Sequence, residues 1–348
     1  MTKKKTEVGV LGATGMVGQQ FVARLARHPW FEVTWLAASE RSEGKTYASA
    51  APWRLATPMP DACRGLIVNA CVPGRGPKVV FSALDASAAD RLELEFAAAG
   101  HVVLSNARSF RMDPVVPLLI PEINADHLSI LADQRRQKGW TGAIVTNPNC
   151  ATVVLAMALA PLRLFTIRRV IVSTMQAVSG AGYPGVPSLD ILGNVIPYIG
   201  NEEEKIESET LKILGGRGGQ VPYEAIVSAQ ANRVAVIDGH TMTVSVELDD
   251  TPTPEDVMEA MRSFRGRPQE LKLPTAPDPP IVVTREPNRP QPRLDADLAD
   301  GMAVSVGRVR PCPVFSTKFV ALGHNTIRGA AGASVLNVEL MQAEGLLK

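Results

Sequence analysis

Glu7-Val8-Gly9-Val10-Leu11-Gly12-Ala13-Thr14-Gly15-Met16-Val17-Gly18 is the stretch that decides the fold. A short apolar run enters three glycines spaced G-x-x-G-x-x-G, and a helical run, Gln19 to Arg27, follows. A second apolar run, Phe31–Ala38, completes a strand, glycine turn, helix, strand unit. In such a unit Gly12 allows the tight turn and Gly18 lets helix and strand pack closely. Gly15 lets a pyrophosphate approach the backbone where the helix starts. The plainer reading is a glycine turn in a ligand-free α/β unit. The place of the triplet, between a strand and a helix, favours the dinucleotide reading.

The end of the second strand bears on which dinucleotide. A carboxylate there holds the ribose 2′-hydroxyl of NAD, and a basic or hydroxyl cluster accepts the 2′-phosphate of NADP. The segment is Ala38-Ser39-Glu40-Arg41-Ser42-Glu43-Gly44-Lys45. Ser39, Arg41, Ser42 and Lys45 point to NADP, whereas Glu40 and Glu43 pull the other way.

Further along, Tyr47 to Gly76 is irregular. Val79–Leu84 is a strand carrying Ser82, Ala86–Ala99 an alanine-rich helix closed by Gly100, and His101–Ser105 another strand. Strands alternating with helices predict a parallel, doubly wound sheet. The loop Ser105–Met112, with Arg108 and Arg111, leaves the carboxyl end of a strand, where ligands bind in such sheets. Solvated loop arginines are the commoner case.

Thr146-Asn147-Pro148-Asn149-Cys150-Ala151-Thr152 joins a strand, Ala143–Val145, to a buried helical run, Val153 to Leu162. Cys150 falls in the first helical turn. Unpaired N–H groups and a partial positive charge there stabilise a thiolate. A small buried hydrophobe is the alternative.

The middle of the chain changes character. Arg169–Met175 is a strand ending in the loop Gln176-Ala177-Val178-Ser179-Gly180-Ala181-Gly182. Glu202–Leu214 is an amphipathic helix with acidic residues in its first turn. Ser228 to Ile237 runs into Asp238-Gly239, a hairpin signal, and His240–Leu248 alternates as a half-buried antiparallel strand. A helix from Thr253 or Pro254 to Phe264, a Pro-rich extended segment from Lys272 to Pro292, and strands at Met302–Val309 and Phe315–Leu322 follow. Gly329–Leu347 is an apolar helix expected to return to the N-terminal unit. The fold class is α/β: an N-terminal Rossmann-type parallel sheet plus an α+β domain with a mostly antiparallel sheet. The expected boundaries are 1–149 plus 325–348 for the first domain and 150–324 for the second.

The 348 residues suffice for two cores, and 36 basic against 35 acidic side chains give no field for nucleic acid or an anionic membrane. No apolar run approaches spanning length. The basic start, Met1-Thr2-Lys3-Lys4-Lys5, leads into a strand and not into a signal-peptide core. Cys63, Cys71, Cys150 and Cys312 lack metal-site spacing. A zinc site or disulfide framework is not expected, and a reducing cytoplasm is.

The glycine turn, Asn147-Pro148-Asn149-Cys150-Ala151-Thr152, Gln176-Ala177-Val178-Ser179-Gly180, and Arg233 seven residues before His240 occur in this order. As an ordered set they resemble aspartate-β-semialdehyde dehydrogenases over essentially the whole chain, in the form of the archaeal and fungal branch. The resemblance implies that Cys150 is the nucleophile that carries a thioester, His240 the general acid/base and Gln176 a residue orienting the substrate beside Asn149. It implies that Arg233 grips the substrate carboxylate and Glu202 its ammonium. Arg111 and Lys205 would take the phosphate. Glu202 and Lys205 lie in a run completed by Glu209, Thr210 and Lys212. For NADP the resemblance implies Gly12, Thr14, Gly15, Met16, Val17, Ser39, Arg41, Ser42, Ser82, Ser179, Gly180 and Asn325. Arg108 departs from the small residue usual in relatives. The first domain would bind NADP, and the second would carry catalysis and the contact of a homodimer or homotetramer.

The residue types suit L-aspartyl-4-phosphate. It presents a carboxylate for a planar guanidinium, an ammonium for a carboxylate and a phosphate for two cations. Attack by the thiolate expels phosphate, and hydride from NADPH then gives the semialdehyde, a step in lysine, methionine, threonine, isoleucine and diaminopimelate synthesis. His324, also at a strand end, is the competing base on the residues alone. His28, His101 and His127 read as structural. An acyl-CoA reductase, such as one acting on malonyl-CoA, or an N-acetyl-glutamyl-phosphate reductase on the same scaffold would leave Glu202 unexplained. A catalytically silent NADP-binding protein would leave the cysteine and histidine unexplained.

Overall fold

β1 (Thr6–Leu11) enters the glycine turn, and β2 (Phe31–Ala38), β3 (Val68–Ala70), β4 (Val79–Ser82), β5 (Val102–Ser105) and β6 (Ala143–Thr146) join it in one sheet. The computed structural model describes residues 4–347, so of the basic start only Lys4 and Lys5 fall within the described residues. All ladders of this sheet are parallel, in the order β3-β2-β1-β4-β5-β6. That is the doubly wound order of dinucleotide-binding folds, with the winding reversing between β1 and β4. Every residue of β4, β5 and β6 is buried, as strands covered on both faces must be. This explains their continuous apolar runs. Leu11, Val80, Phe96, Val103 and Ile144 form one core cluster.

α1 (Met16–Leu25) begins three residues before the expected Gln19, with Gly15 as its extended N-cap. α2 (Ala86–Ala98) is capped by Asp85, whose side chain accepts the Ala88 N–H at 3.0 Å. The C-terminal helix, Gly332–Ala343, belongs to the same unit and packs on α1. A buried pair, His28 Nε2 with Glu339 Oε1 at 2.7 Å, ties the two ends together. This unit comprises Met1–Leu119, Asp126–Asn147 and Ala331–Lys348. The irregular stretch from Tyr47 to Gly76 hides β3, a three-residue edge strand too short to show a period.

The second unit, Ile120–Ala125 and Pro148–Ala330, has its own sheet. Its strands are β7 (Ile167–Gln176), β8 (Ile226–Arg233), β9 (His240–Leu248), β10 (Ile281–Val283), β11 (Val304–Pro311) and β12 (Thr317–Gly323), in the order β10-β11-β12-β9-β7-β8. The three inner ladders are antiparallel and the two edge ladders parallel. One expectation is corrected here. Asp238-Gly239 does not close a hairpin, because β7 lies between β8 and β9 and pairs with both. The turn signal is local, and strand order is not. Within the Pro-rich extended segment, Ile281–Val283 forms the short strand β10.

α3 (Cys150–Leu159) is buried from Ala151 onward and packs on α4 (Glu202–Leu214). Pro161 then tightens the chain into a 3-10 turn, because proline cannot donate to the α-helical ladder. α5 (Pro254–Ser263) starts in a capping box formed by Thr253 and Asp256.

Candidate active site

Cys150 is the first residue of α3, and Asn149 is its N-cap. The Asn149 Oδ1 accepts the N–H groups of Ala151 at 2.8 Å and Thr152 at 3.2 Å. Two carboxylates of α4 fix Asn149 in turn. Glu202 Oε1 accepts from its amide at 2.9 Å, and Glu209 Oε2 accepts its backbone N–H at 2.6 Å. On another side the chain at Gly329 lies so close that a Cβ there would stand 2.6 Å from Cys150 Cβ. Helix, cap and glycine together fix the backbone from which the thiol projects.

The Cys150 sulfur lies 3.2 Å from His240 Nε2. His240 opens β9 and is fully buried. Its Nδ1 accepts the Ala177 N–H at 3.1 Å, and the Ala177 carbonyl accepts from Arg233 Nη1 at 2.8 Å. One peptide-bearing residue therefore orients both the imidazole and the guanidinium. Gln176 ends β7 and pairs in register with Arg233, the end of β8. Three strand ends thus deliver Gln176, Arg233 and His240 to one locus, which is what the mixed sheet contributes to the site. Gly180 packs against it: a Cβ there would lie 2.9 Å from Arg233 Nη1 and 3.2 Å from His240 Nε2. Asn325 Nδ2 donates to Ser179 Oγ at 2.8 Å, and its Oδ1 accepts the N–H of Gly239 at 2.9 Å.

Charge in the site is arranged in opposition. Lys205 Nζ donates to Glu202 Oε2 at 2.9 Å. Burial pushes the Glu202 carboxyl up, but Lys205 and the hydrogen bonds from Asn149 and Gln176 outweigh it and hold the group below its usual range. Burial lowers Arg233, against the pull of Cys150 and Glu202. Burial also drives the His240 imidazole down to about 3, helped by Arg233 and His324 and opposed by Glu202. His324 has its Nε2 3.6 Å from Asp297 Oδ1. It is His240 that the structure sets on the sulfur.

In the first unit, Gly12 has φ +72°, and a Cβ there would stand 2.5 Å from the Ala83 carbonyl oxygen. At Gly15, by contrast, the nearest atom to such a Cβ is the Gly12 carbonyl oxygen at 3.5 Å, and no side chain caps the N-terminus of α1. An open glycine, with Thr14, Met16 and Val17 around it, fits a pyrophosphate at the start of a helix. Ser39 and Arg41 are exposed in the turn after β2, where Ser42 N–H bonds the Ser39 carbonyl at 2.8 Å. Ser82 is buried at the end of β4. Arg111 is nearly buried and donates from Nη2 to the Asn106 carbonyl at 2.8 Å, whereas Arg108 is exposed.

Two family models match this chain: "semialdehyde dehydrogenase, NAD binding domain" over residues 7–131 and "semialdehyde dehydrogenase, dimerisation domain" over residues 159–328. An aspartate-semialdehyde dehydrogenase of Methanothermobacter thermautotrophicus is 53% identical, with 96% of this chain and 98% of the relative covered. The chain belongs to the aspartate-semialdehyde dehydrogenase family. A fungal member from Cryptococcus neoformans is 48% identical over 99% of both chains. The crystal structure of aspartate-semialdehyde dehydrogenase with NADP from Candida albicans superposes with a TM-score of 0.90 at 41% identity, covering 98% of this chain and 99% of that one.

The structure also shows what the residues alone did not reveal. Glu209 was visible in the α4 motif without a role, and its grip on the Asn149 N–H supplies one. Gly329 was visible only as the small first residue of the expected C-terminal helix, whose α-helical part begins at Gly332. The orienting groups of Ala177 belong to the backbone, and no side-chain signature announces them.

Proposed function

We propose that the chain reduces L-aspartyl-4-phosphate to L-aspartate 4-semialdehyde and phosphate with NADPH, through a thioester on Cys150. The observation that carries this reading is the Cys150 sulfur at a helix N-terminus, 3.2 Å from His240 Nε2. Around it lie an arginine, a carboxylate and an amide of the types the substrate's charges need.

Cys150 attacks the acyl carbon, and the carbon–oxygen bond to phosphate breaks. Arg233 holds the α-carboxylate through its planar fork. Glu202 takes the ammonium, Lys205 and Arg111 take the phosphate, and Gln176 and Asn149 orient the acyl group. Because Glu202 and Lys205 pair with each other, substrate binding replaces one ion pair by two, each with a substrate charge. The backbone N–H of Cys150, at the first position of α3, is the candidate donor to the developing oxyanion, since those of Ala151 and Thr152 bond the Asn149 side chain.

NADPH, when bound, supplies the hydride that takes the thioester to the aldehyde level. Gly12, Thr14, Gly15, Met16 and Val17 would hold its pyrophosphate, and Ser39, Arg41 and Ser42 its 2′-phosphate. Ser82, Ser179, Gly180 and Asn325 would border the nicotinamide half. The first unit is accordingly the nucleotide-binding domain and the second the catalytic and dimerisation domain.

We further propose that the protein works as at least a homodimer in the cytoplasm. The dimerisation-domain match supports the first point, as do exposed Leu189, Leu192, Val195 and Tyr198. The four free cysteines support the second. No helix among the described residues is long and apolar enough to cross a membrane.

Turnover is tested by adding L-aspartate 4-semialdehyde and phosphate and following NADP reduction. Absence of that signal sinks the proposal. Cys150→Ala is expected to abolish turnover and leave NADP binding intact.

A further inference from the structure

We propose that Tyr47 and Gln19 are positioning residues for NADP: buried behind the glycine turn, they hold the carbonyls of Ala13 and Thr14 inward and so aim the Thr14 N–H at the pyrophosphate. The inference deepens the cofactor reading above and rests on the pyrophosphate lying at this turn.

A peptide group is planar, and its C=O and N–H point in opposite directions, so fixing one end fixes the other. An anion at the turn needs N–H ends outward and C=O ends inward. Ala13 and Thr14 lie between Gly12, at φ +72°, and Gly15. Glycine leaves its neighbouring peptides free to rotate, so the peptides of Ala13 and Thr14 have to be held from elsewhere.

The hold comes from behind the turn. Tyr47 opens the short helical turn Tyr47–Ala50, and its hydroxyl donates to the Ala13 carbonyl at 2.8 Å. A carbonyl only accepts, so the phenol is the donor. Tyr47 is fully buried, and that burial, with Cys63 adding to it, holds the phenol above its ordinary range and keeps its proton in place. Tyr47 is itself anchored. Its backbone N–H bonds the Leu66 carbonyl at 2.8 Å, and its ring meets that of Trp53 edge-on at 6.3 Å.

The next peptide is held by Gln19. Its Nε2 donates to the Thr14 carbonyl at 2.9 Å, while the Gly15 N–H closes on the Gly12 carbonyl at 3.1 Å. The amide of Gln19 has one orientation. Nε2 also donates to the Pro52 carbonyl at 3.1 Å, and Oε1 accepts the Arg54 N–H at 2.9 Å. Gln19 is 1% exposed.

This leaves the Thr14 N–H facing outward, beside the first N–H groups of α1, which no side chain caps. Exposure follows the same division: Ala13 is buried, Thr14 half-buried and Gly15 exposed. Tyr47 and Gln19 are out of a ligand's reach, so they act on it through the backbone. Tyr47→Phe removes one hydroxyl and keeps the ring against Trp53. The buried Ala13 carbonyl then lacks its partner, and its peptide turns to find another, taking the Thr14 N–H with it.

The test is calorimetric titration of the full-length wild type, Tyr47→Phe and Gln19→Met with two ligands. One is NADP, and the other is adenosine 2′-monophosphate, which carries the 2′-phosphate and no pyrophosphate. We expect the Kd for NADP to rise about tenfold or more in each variant, the loss of roughly one hydrogen bond to a charged group, and that for adenosine 2′-monophosphate to stay within about twofold. An NADP Kd within about twofold of the wild type in Tyr47→Phe overturns the proposal. Equal weakening of both ligands overturns it as well, because it assigns Tyr47 and Gln19 to packing. A wild type that binds NADP no more tightly than adenosine 2′-monophosphate would remove the pyrophosphate from the turn, and the proposal with it.

Discussion

Glu209 Oε2 accepts the backbone N–H of Asn149 at 2.6 Å, one residue before the nucleophile. The carboxylate is buried and reaches across from α4 to the N-terminus of α3. It fixes the peptide that leads into Cys150, so it acts on the thiol through Asn149. Truncating one partner of a buried hydrogen bond costs about 1–3 kcal/mol. Glu209→Ala should therefore lower kcat by roughly 10-fold or more and change the rate of Cys150 alkylation. Glu209→Gln keeps an acceptor and should recover most of both. Equal alkylation rates in wild type and Glu209→Ala would assign Glu209 to packing alone.

Gly180→Ala should strike the site without disturbing the fold. The backbone there is not left-handed, so alanine adopts it freely, but the new Cβ would press on Arg233 Nη1 at 2.9 Å and His240 Cε1 at 3.1 Å. Displacing both groups should raise KM for aspartate semialdehyde and lower kcat. A misplacement on the order of 1 Å costs about 100-fold in rate. Thermal unfolding should change little. A variant with wild-type kinetics would show that the loop yields without moving either side chain.

Arg233→Lys tests the guanidinium fork. Lysine keeps the charge but is a point donor, losing both the bidentate geometry and the bond that holds the Ala177 carbonyl. KM for the semialdehyde should rise roughly 10-fold or more, and NADP affinity measured by fluorescence should stay within about twofold. Equal losses for substrate and cofactor would remove Arg233 from the carboxylate role.

These three predictions also mark how far the residues could be read alone. α4 was legible end to end, because Ile206, Thr210 and Ile213 recur at helical spacing on its buried side. β9 was equally legible from its strict alternation. What periodicity cannot carry is order in space. Asp238-Gly239 looked like a hairpin because a turn is local, while the insertion of β7 between β8 and β9 depends on pairings far apart in the chain. The three-residue strands β3 and β10 are too short for any period. In the site, side chains with chemistry announced themselves: Cys150 by its place at a helix start, and His240, Arg233 and Glu202 through the resemblance of the ordered motifs to the family. Ala177 did not, because its part is played by its N–H and C=O, and every residue but proline has both.

The last prediction concerns stability and the first unit. Glu93 on α2 is fully buried, and its Oε1 accepts from Ser105 Oγ at 2.8 Å. Ser105 Oγ in turn accepts the Ala107 N–H at 3.1 Å, at the start of the loop that carries Arg111. Burial pushes the Glu93 carboxyl up to about 7, while Ser105 and Arg111 oppose the rise. A folded pKa above the unfolded value means that the native state holds the proton longer than the unfolded chain does. The stabilisation is complete below about pH 4.5, the unfolded value, and is lost as pH rises through about 7. Glu93→Gln is neutral at every pH and still accepts from Ser105. Its Tm should match the wild type near pH 4 and exceed it at pH 8, with the gap opening between about pH 4.5 and 7. A constant gap across the range, or a variant less stable at pH 8, would mean that the buried carboxylate is compensated in its charged form.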